Sequence, residues 1–252
     1  MILSLRSLFI TLIFFSLSTH AAEYRFYSAA GAKVPLIELS QLFNQTNSGS
    51  HIVNNFDTAG AAEKKFFEDP KSTCLITTQV RINSALKSGA LKGQAQIPLA
   101  DTLGALASSN PAKPSISNTN ELVNTLLSAK SIAFSNPANG ATVGLHFQEM
   151  IKKLGIEKQV MEKAILASDG VETMKLVLAK KVELGVTQMS EVIQADRNTL
   201  VGPFPAEFEL ATRYSLWCKE PGLPEISAFI GLLTSRFGAQ VFSYNGLRPV
   251  QQ

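Results

Sequence analysis

The sequence predicts an α/β protein of two lobes, joined by a hinge and holding a central ligand cleft between them. Three observations carry that reading. Short apolar runs alternate with amphipathic stretches of helical period, the pattern of strand–helix units on mainly parallel sheets. Two of these units share one plan of strand, small-residue loop and helix. The first is Tyr24-Arg25-Phe26-Tyr27, a loop of Ser28 to Ala32, and a helix over 33–43; the second is Ser131-Ile132-Ala133-Phe134, a loop of Ser135 to Thr142, and a helix over 143–154. Finally, two proline-containing breaks, at 108–114 and at Gly202-Pro203-Phe204-Pro205, set off a middle stretch able to form a lobe of its own. A chain that leaves one lobe and returns to it crosses twice, which is a hinge arrangement with ligand expected in the cleft.

The organisation read from these breaks is a leader over 1–21, a first lobe over 22–107 completed by a return segment over 206–252, and a second lobe over 108–205. In the leader, Arg6 gives a positive start, residues 8–17 are apolar, and Thr19-His20-Ala21 offers small residues at the cleavage positions, so cleavage is expected after Ala21. The apolar run is too short for a comfortable membrane span, and no cysteine lies near the cut to carry a lipid. Export to the periplasm as a monomer, without membrane insertion, follows as the expectation. Loss of the leader removes one cation and lowers the formal charge from +3 to +2. So neutral a chain offers no basic field for nucleic acid.

Helical stripes define further elements. Val143, Phe147, Met150, Ile151 and Leu154 share a face closed by Gly155; Val171, Met174, Val177 and Leu178 form a second stripe entered through Ser168-Asp169-Gly170; Ile226, Phe229, Ile230 and Leu233 form a third. Strands are expected at Ile52-Val53, at Cys74-Leu75-Ile76, at 184–186, at Leu200-Val201 and at 214–217. The only two cysteines, Cys74 and Cys218, lie in such strand-like runs. Export permits a disulfide between them, yet neighbouring strands seldom offer the geometry, so two buried thiols are the favoured reading and the bridge stays open.

Candidate site residues cluster where strands hand over to helices, because such junctions aim unpaired amides and the positive dipole end at one point. In the first lobe these are Ser28, Gly31 and Lys33, then Thr58, Ala59 and Gly60. A lysine in a first helical turn opposes the dipole, which suits an anion-facing role for Lys33. In the second lobe they are Gly140, Ala141, Thr142 and His146, the backbone amide of Val171, and Gln188 at a strand end with Glu191 beyond it. Phosphate-loop, dinucleotide-binding and serine-hydrolase signatures are absent, as are C-x-x-C pairs and histidine-rich metal spacing. No cofactor or metal is therefore expected.

Taken together, Tyr27 to Leu36, Ser131 through Phe147, Gly185 to Glu191, Leu200 to Pro205 and the tail from Leu233 to Pro249 resemble the periplasmic substrate-binding proteins of ABC importers, in particular the molybdate-binding-like group. The resemblance implies a type 2 periplasmic-binding-protein fold, a small anionic ligand and a membrane permease as partner. It also implies a departure, since Gly31, Ala59 and Gln188 stand where molybdate binders carry two serines and a tyrosine. Lost hydroxyl donors, against a gain of Lys33, His146 and Gln188, shift the expectation from molybdate toward organic di- or tricarboxylates. A neighbouring branch resembles aconitate isomerase. In that alternative His146 or Glu191 would take a proton α to a carboxylate while Lys33 holds developing charge.

Overall fold

The computed structural model describes residues 21–47, 49–93 and 96–250; the expected leader lies outside them. From the start of the described chain, β1 (Ala22–Ala29) runs through a 3-10 turn at Ala30–Ala32 into α1 (Lys33–Thr46), followed by β2 (Ser50–Asp57), α2 (Ala59–Glu68), β3 (Ser72–Thr78), α3 (Gln79–Lys87) and the long β4 (Gln96–Ser108). The middle of the chain supplies α4 (Thr119–Ser128), β5 (Ile132–Ser135), α5 (Thr142–Lys153), α6 (Glu157–Met161), β6 (Ala164–Ala167), α7 (Gly170–Leu178), β7 (Leu184–Gln188), α8 (Met189–Asp196) and β8 (Leu200–Pro203). The return consists of β9 (Ala211–Cys218), α9 (Pro224–Thr234), α10 (Arg236–Tyr244) and β10 (Arg248–Pro249).

Strand order is β2-β1-β3-β9-β4-β7-β5-β6, with β8 and β10 also paired to β4. The early part of β4 pairs with β9 (Gln96 to Leu103), whereas Gly104 to Ser108 pair with β7. One strand thus belongs to two halves of the fold. Parallel pairing holds at β1/β2, β1/β3, β5/β6 and β5/β7, where helical crossovers connect the strands. The expectation of mainly parallel sheets fails in the centre. There β3/β9, β9/β4, β4/β7, β4/β8 and β4/β10 are all antiparallel, because β4 carries the chain out of one half and the return through β9 runs back beside it.

Each half is covered on both faces, as strands buried on two sides require. Over the first sheet, Leu36, Leu39 and Phe43 of α1 pack with Phe26, Leu216, Phe229 and Phe242, and Phe229 makes edge-to-face contacts with Phe26 (5.2 Å) and Phe43 (5.3 Å). On its other face Phe66, Leu75, Ile82 and Trp217 form a smaller cluster. The second half buries Phe134, Phe147, Met150, Ile151 and Phe204 on one face, and Ala133, Met174, Val177 and Val192 on the other. No helix among the described residues is long and apolar enough to cross a membrane.

The favoured reading of two free thiols is overturned. Antiparallel pairing sets Cys74 of β3 directly opposite Cys218 of β9, and the two form a disulfide. Both strands were legible in sequence, but their pairing and register, which decide the bridge, were not.

Candidate ligand-binding site

Five helix entries converge on one partly open cavity. From the first half come Ala29, Ala30 and Gly31 at the 3-10 entry to α1, and Thr58 and Ala59 at the start of α2. From the second half come Ala141, Thr142 and Val143 at the start of α5, Gly170 at the start of α7, and Gln188 and Glu191 at the start of α8. Ser135 and Thr187, at or next to strand ends, and Tyr214 within β9 complete the lining. Entries of this kind leave amides without intrahelical acceptors and bring positive dipole ends together. Ala29 and Ala141 precede their helical turns without any side-chain capping hydrogen bond. Hydroxyls of Thr58, Ser135, Thr142, Thr187 and Tyr214 add neutral polar groups, and no lysine, arginine or histidine lines the cavity among the described residues. Its volume is about 30 Å³, against roughly 10–15 Å³ needed for a single water on the same scale.

The two halves meet beside this cavity. The amide of Gly60 donates to the carbonyl of Gly140 at 3.3 Å, and the Thr58 hydroxyl donates to the carbonyl of Asn139 while accepting from the amide of Ala61 at 3.2 Å. Gly140 has φ +70°, the left-handed region that glycine adopts without steric cost. A Cβ on Gly60 would stand 2.9 Å from the Cα of Gly140 and 2.9 Å from Nη2 of Arg81, so both positions are fitted to a close backbone approach. Arg81 is itself held by Glu63 at 2.6 Å.

Glu191 is the one acidic side chain lining the cavity among the described residues. Its Oε2 accepts from the Thr187 hydroxyl and from the amide of Gln188 at 3.2 Å, and the absent side chain of Gly170 leaves the carboxyl its room. Burial pushes the Glu191 carboxyl up to about 7; the two hydrogen bonds oppose that rise, and the charge of Asp169 adds to it. Tyr214 is buried too, its hydroxyl in the space a side chain on Gly31 would need, and burial followed by the Glu191 charge raises it well above the ordinary phenol value. The Gln188 amide donates to the Thr212 hydroxyl at 3.1 Å, while its Oε1 is buried without a partner.

Of the residues singled out from sequence, Gly31, Thr58, Ala59, Ala141, Thr142, Gln188 and Glu191 line this cavity, whereas Gly60 and Gly140 do not line it and instead join the two halves beside it through a backbone hydrogen bond. The others stand elsewhere. Ser28 is buried beneath, its hydroxyl donating to the carbonyl of Ala29 at 3.1 Å. Lys33 opens α1, but its ammonium lies over the Phe56 ring, 5.9 Å from the centroid. His146 faces away from the cavity: Nε2–H donates to the carbonyl of Phe208 at 2.8 Å and the ring stacks on Phe204. Val171 follows the lining residue Gly170 but does not itself line the space. Ser135, Thr187 and Tyr214 were missed. The first two end strands that point at helix entries, a signal that was available; Tyr214 gave none.

The model of the bacterial extracellular solute-binding proteins matches residues 24–248, nearly all of the described chain. The protein belongs to that family. Among relatives of this solute-binding protein, an aconitate isomerase from Pseudomonas sp. is 25% identical over 198 residues, covering 77% of this chain and 74% of the relative. Among solved structures, the periplasmic molybdate-binding protein of Azotobacter vinelandii superposes with a TM-score of 0.72 at 14% identity, covering 90% of this chain and 100% of that one. The sulfate-binding protein SubI of Mycobacterium tuberculosis gives 0.67 at 12% identity, covering 91% and 88%. At such identities the likeness is one of fold: two α/β lobes about a central cleft.

Proposed function

We propose that this solute-binding protein captures a small, compact anion between its lobes in the periplasm and hands it to a membrane importer. The observation that carries the reading is the convergence of five helix entries and five hydroxyls on one cavity without a lining cation. Amide and hydroxyl donors bind a desolvated anion by charge-assisted hydrogen bonds, and the dipoles supply the field that a lysine would otherwise give. The lobes in this proposal are 22–107 with 206–252, and 108–205, after removal of the leader at Ala21; the protein acts as a monomer and meets the permease when closed.

Two parts of the sequence-based argument about ligand class change. Hydroxyl donors remain, since Ser135, Thr142 and Tyr214 line the space beside Thr58 and Thr187, whose own hydrogens go to the Asn139 carbonyl and to Glu191, and neither Lys33 nor His146 is among the lining residues. A cavity of about 30 Å³ favours an oxyanion or small carboxylate over a tricarboxylate. Thermal unfolding against a panel of molybdate, sulfate, orthophosphate, acetate, malonate and citrate tests this. A compact anion at 100 times its Kd should add about 2.7 kcal/mol; stabilisation by citrate alone would overturn the size argument.

Glu191 keeps a second reading open, because a buried carboxyl that titrates near neutrality is a competent base. In that reading the protein is an isomerase like its Pseudomonas relative, and the lobes stand further apart around a tricarboxylate than they do here. Incubation with trans-aconitate, followed by ultraviolet detection of the cis isomer, separates the two. Turnover in the wild type that is lost in Glu191→Gln supports the enzyme, and its absence at high protein concentration supports the receptor.

A further inference from the structure

An asparagine followed by glycine is the pair most open to ring closure of side chain onto backbone, because glycine sets no side chain beside its own amide nitrogen. The chain has two such pairs, Asn139-Gly140 and Asn245-Gly246. Their surroundings differ. Asn245 is 5% exposed, and its Nδ2 donates to the carbonyl of Val241 at 2.9 Å. Asn139 is exposed and stands where the two halves touch. The peptide unit between Asn139 and Gly140 holds the nitrogen that would react, and here that unit is pinned at both ends. Its N–H donates to the carbonyl of Pro137 at 3.0 Å, and its carbonyl accepts from the Thr58 hydroxyl of the other half. The next carbonyl, that of Gly140, accepts from the Gly60 amide, again across the halves. The Asn139 side chain is held as well, Nδ2 donating to the carbonyl of Ser168 at 3.0 Å. Ring closure needs the reacting atoms aligned and nearly in contact. Four hydrogen bonds oppose that alignment, and two of them exist only while the halves touch.

We propose that Asn139-Gly140 is a self-modifying site, which deamidates when the lobes part and is protected when a bound anion holds them together. The protection rests on the anion-capture reading; the susceptibility of the pair does not. Solvent base takes the proton of the Gly140 amide, and the nitrogen attacks Cγ of Asn139. The new C–N bond closes a five-membered succinimide, the Cγ–Nδ2 bond breaks, and the nitrogen leaves as ammonia with a proton returned from solvent. Water then adds to one of the two ring carbonyls and opens the ring to aspartate or isoaspartate, with no change of oxidation state. Aspartate sets a carboxylate oxygen against the Ser168 carbonyl where Nδ2 now donates. Isoaspartate also routes the backbone through the former side chain, which displaces Gly140 from Gly60. Either product weakens the contact between the halves and adds a negative charge beside a cavity that attracts anions. Time spent empty is thus recorded in the chain as lost closure.

The experiment holds the protein in mildly alkaline buffer, empty and with saturating molybdate, sulfate or orthophosphate. Peptide mass spectrometry that resolves aspartate from isoaspartate follows the conversion, and thermal unfolding of the same samples shows which anion binds. Conversion is expected at Asn139 and not at Asn245. An anion at 100 times its Kd should slow it about 100-fold, the factor by which it depletes the parted form. Thr58→Val, which removes the bond to the Asn139 carbonyl, should speed conversion in the empty protein. Aged protein, separated by its added negative charge, should bind the same anion about tenfold more weakly, the worth of one lost hydrogen bond. Conversion at Asn139 no faster than at Asn245 overturns the site. Equal conversion with and without an anion that raises the melting temperature overturns the protection, and unchanged affinity after ageing overturns its consequence. If no anion raises the melting temperature, the capture reading falls and the protection with it, while the two asparagines of the empty protein still decide the site. The wild-type comparison stands without the variant.

Discussion

Replacing Cys74 and Cys218 together by alanine is expected to lower folding stability by about 2–5 kcal/mol. The bridge spans 144 residues of sequence, so it removes much of the freedom of the unfolded chain; the chain-entropy relation gives about 5 kcal/mol for a loop of that length. It also joins β3 to β9 in the middle of the sheet, where the first half meets the returning segment. Urea unfolding of the oxidised protein, the reduced protein and the double variant measures the effect. Oxidised and reduced midpoints should differ by most of it, since reduction leaves the packing atoms in place. Coincident midpoints would mean that the bridge contributes nothing.

The second large effect is expected at the glycine contact between the halves. In Gly60→Ala the new Cβ meets the Gly140 backbone of the other half at 2.9 Å, and the Arg81 guanidinium of its own half at the same distance. An overpacked contact of this kind costs about 1–3 kcal/mol, which corresponds to an affinity loss of roughly 5- to 150-fold. Gly140→Ala adds the strain of a left-handed residue, about 1–2 kcal/mol, and should be the weaker binder of the two. Gly222→Ala, where a Cβ meets nothing within 4 Å, serves as the reference. Calorimetric affinity for the tightest anion of the panel, with the radius of gyration from small-angle scattering at saturation, reads the outcome. Unchanged affinity together with an unchanged radius would show that this glycine pair does not limit closure.

Much of the architecture was legible because it is local. The strand–loop–helix units at Tyr24–Phe43 and Ser131–Leu154 announce themselves by period and by small residues, and the structure extends them by only a few positions. What escaped is what depends on long-range pairing. The strand Gln96–Ser108 carries three alanines, a proline and a glycine rather than a clean alternation, yet it joins the two halves. Tyr214 read as one more apolar strand residue, because nothing near it in sequence shows that its hydroxyl reaches the turn containing Gly31. His146 lies one turn after Thr142, which suggested a shared direction. Its ring leans instead onto Phe204 and Phe208, segments some sixty residues later. Helical spacing fixes which residues share a face, but the neighbours that draw a long side chain away are supplied by tertiary structure.

The nesting of one half inside the other sets a timetable for the growing chain. Every strand of the inner half lies before residue 204, whereas the outer sheet stays incomplete until Ala211–Cys218 arrives. The inner half can therefore assemble first, on contacts of modest sequence separation, while β3 waits with one side unpaired. Cys74 waits with it, as a free thiol in the periplasm proposed for this protein. Because the chain has only one other cysteine, any premature partner for that thiol belongs to a different molecule, and disulfide-linked dimers are the characteristic by-product of a slow C-terminal half.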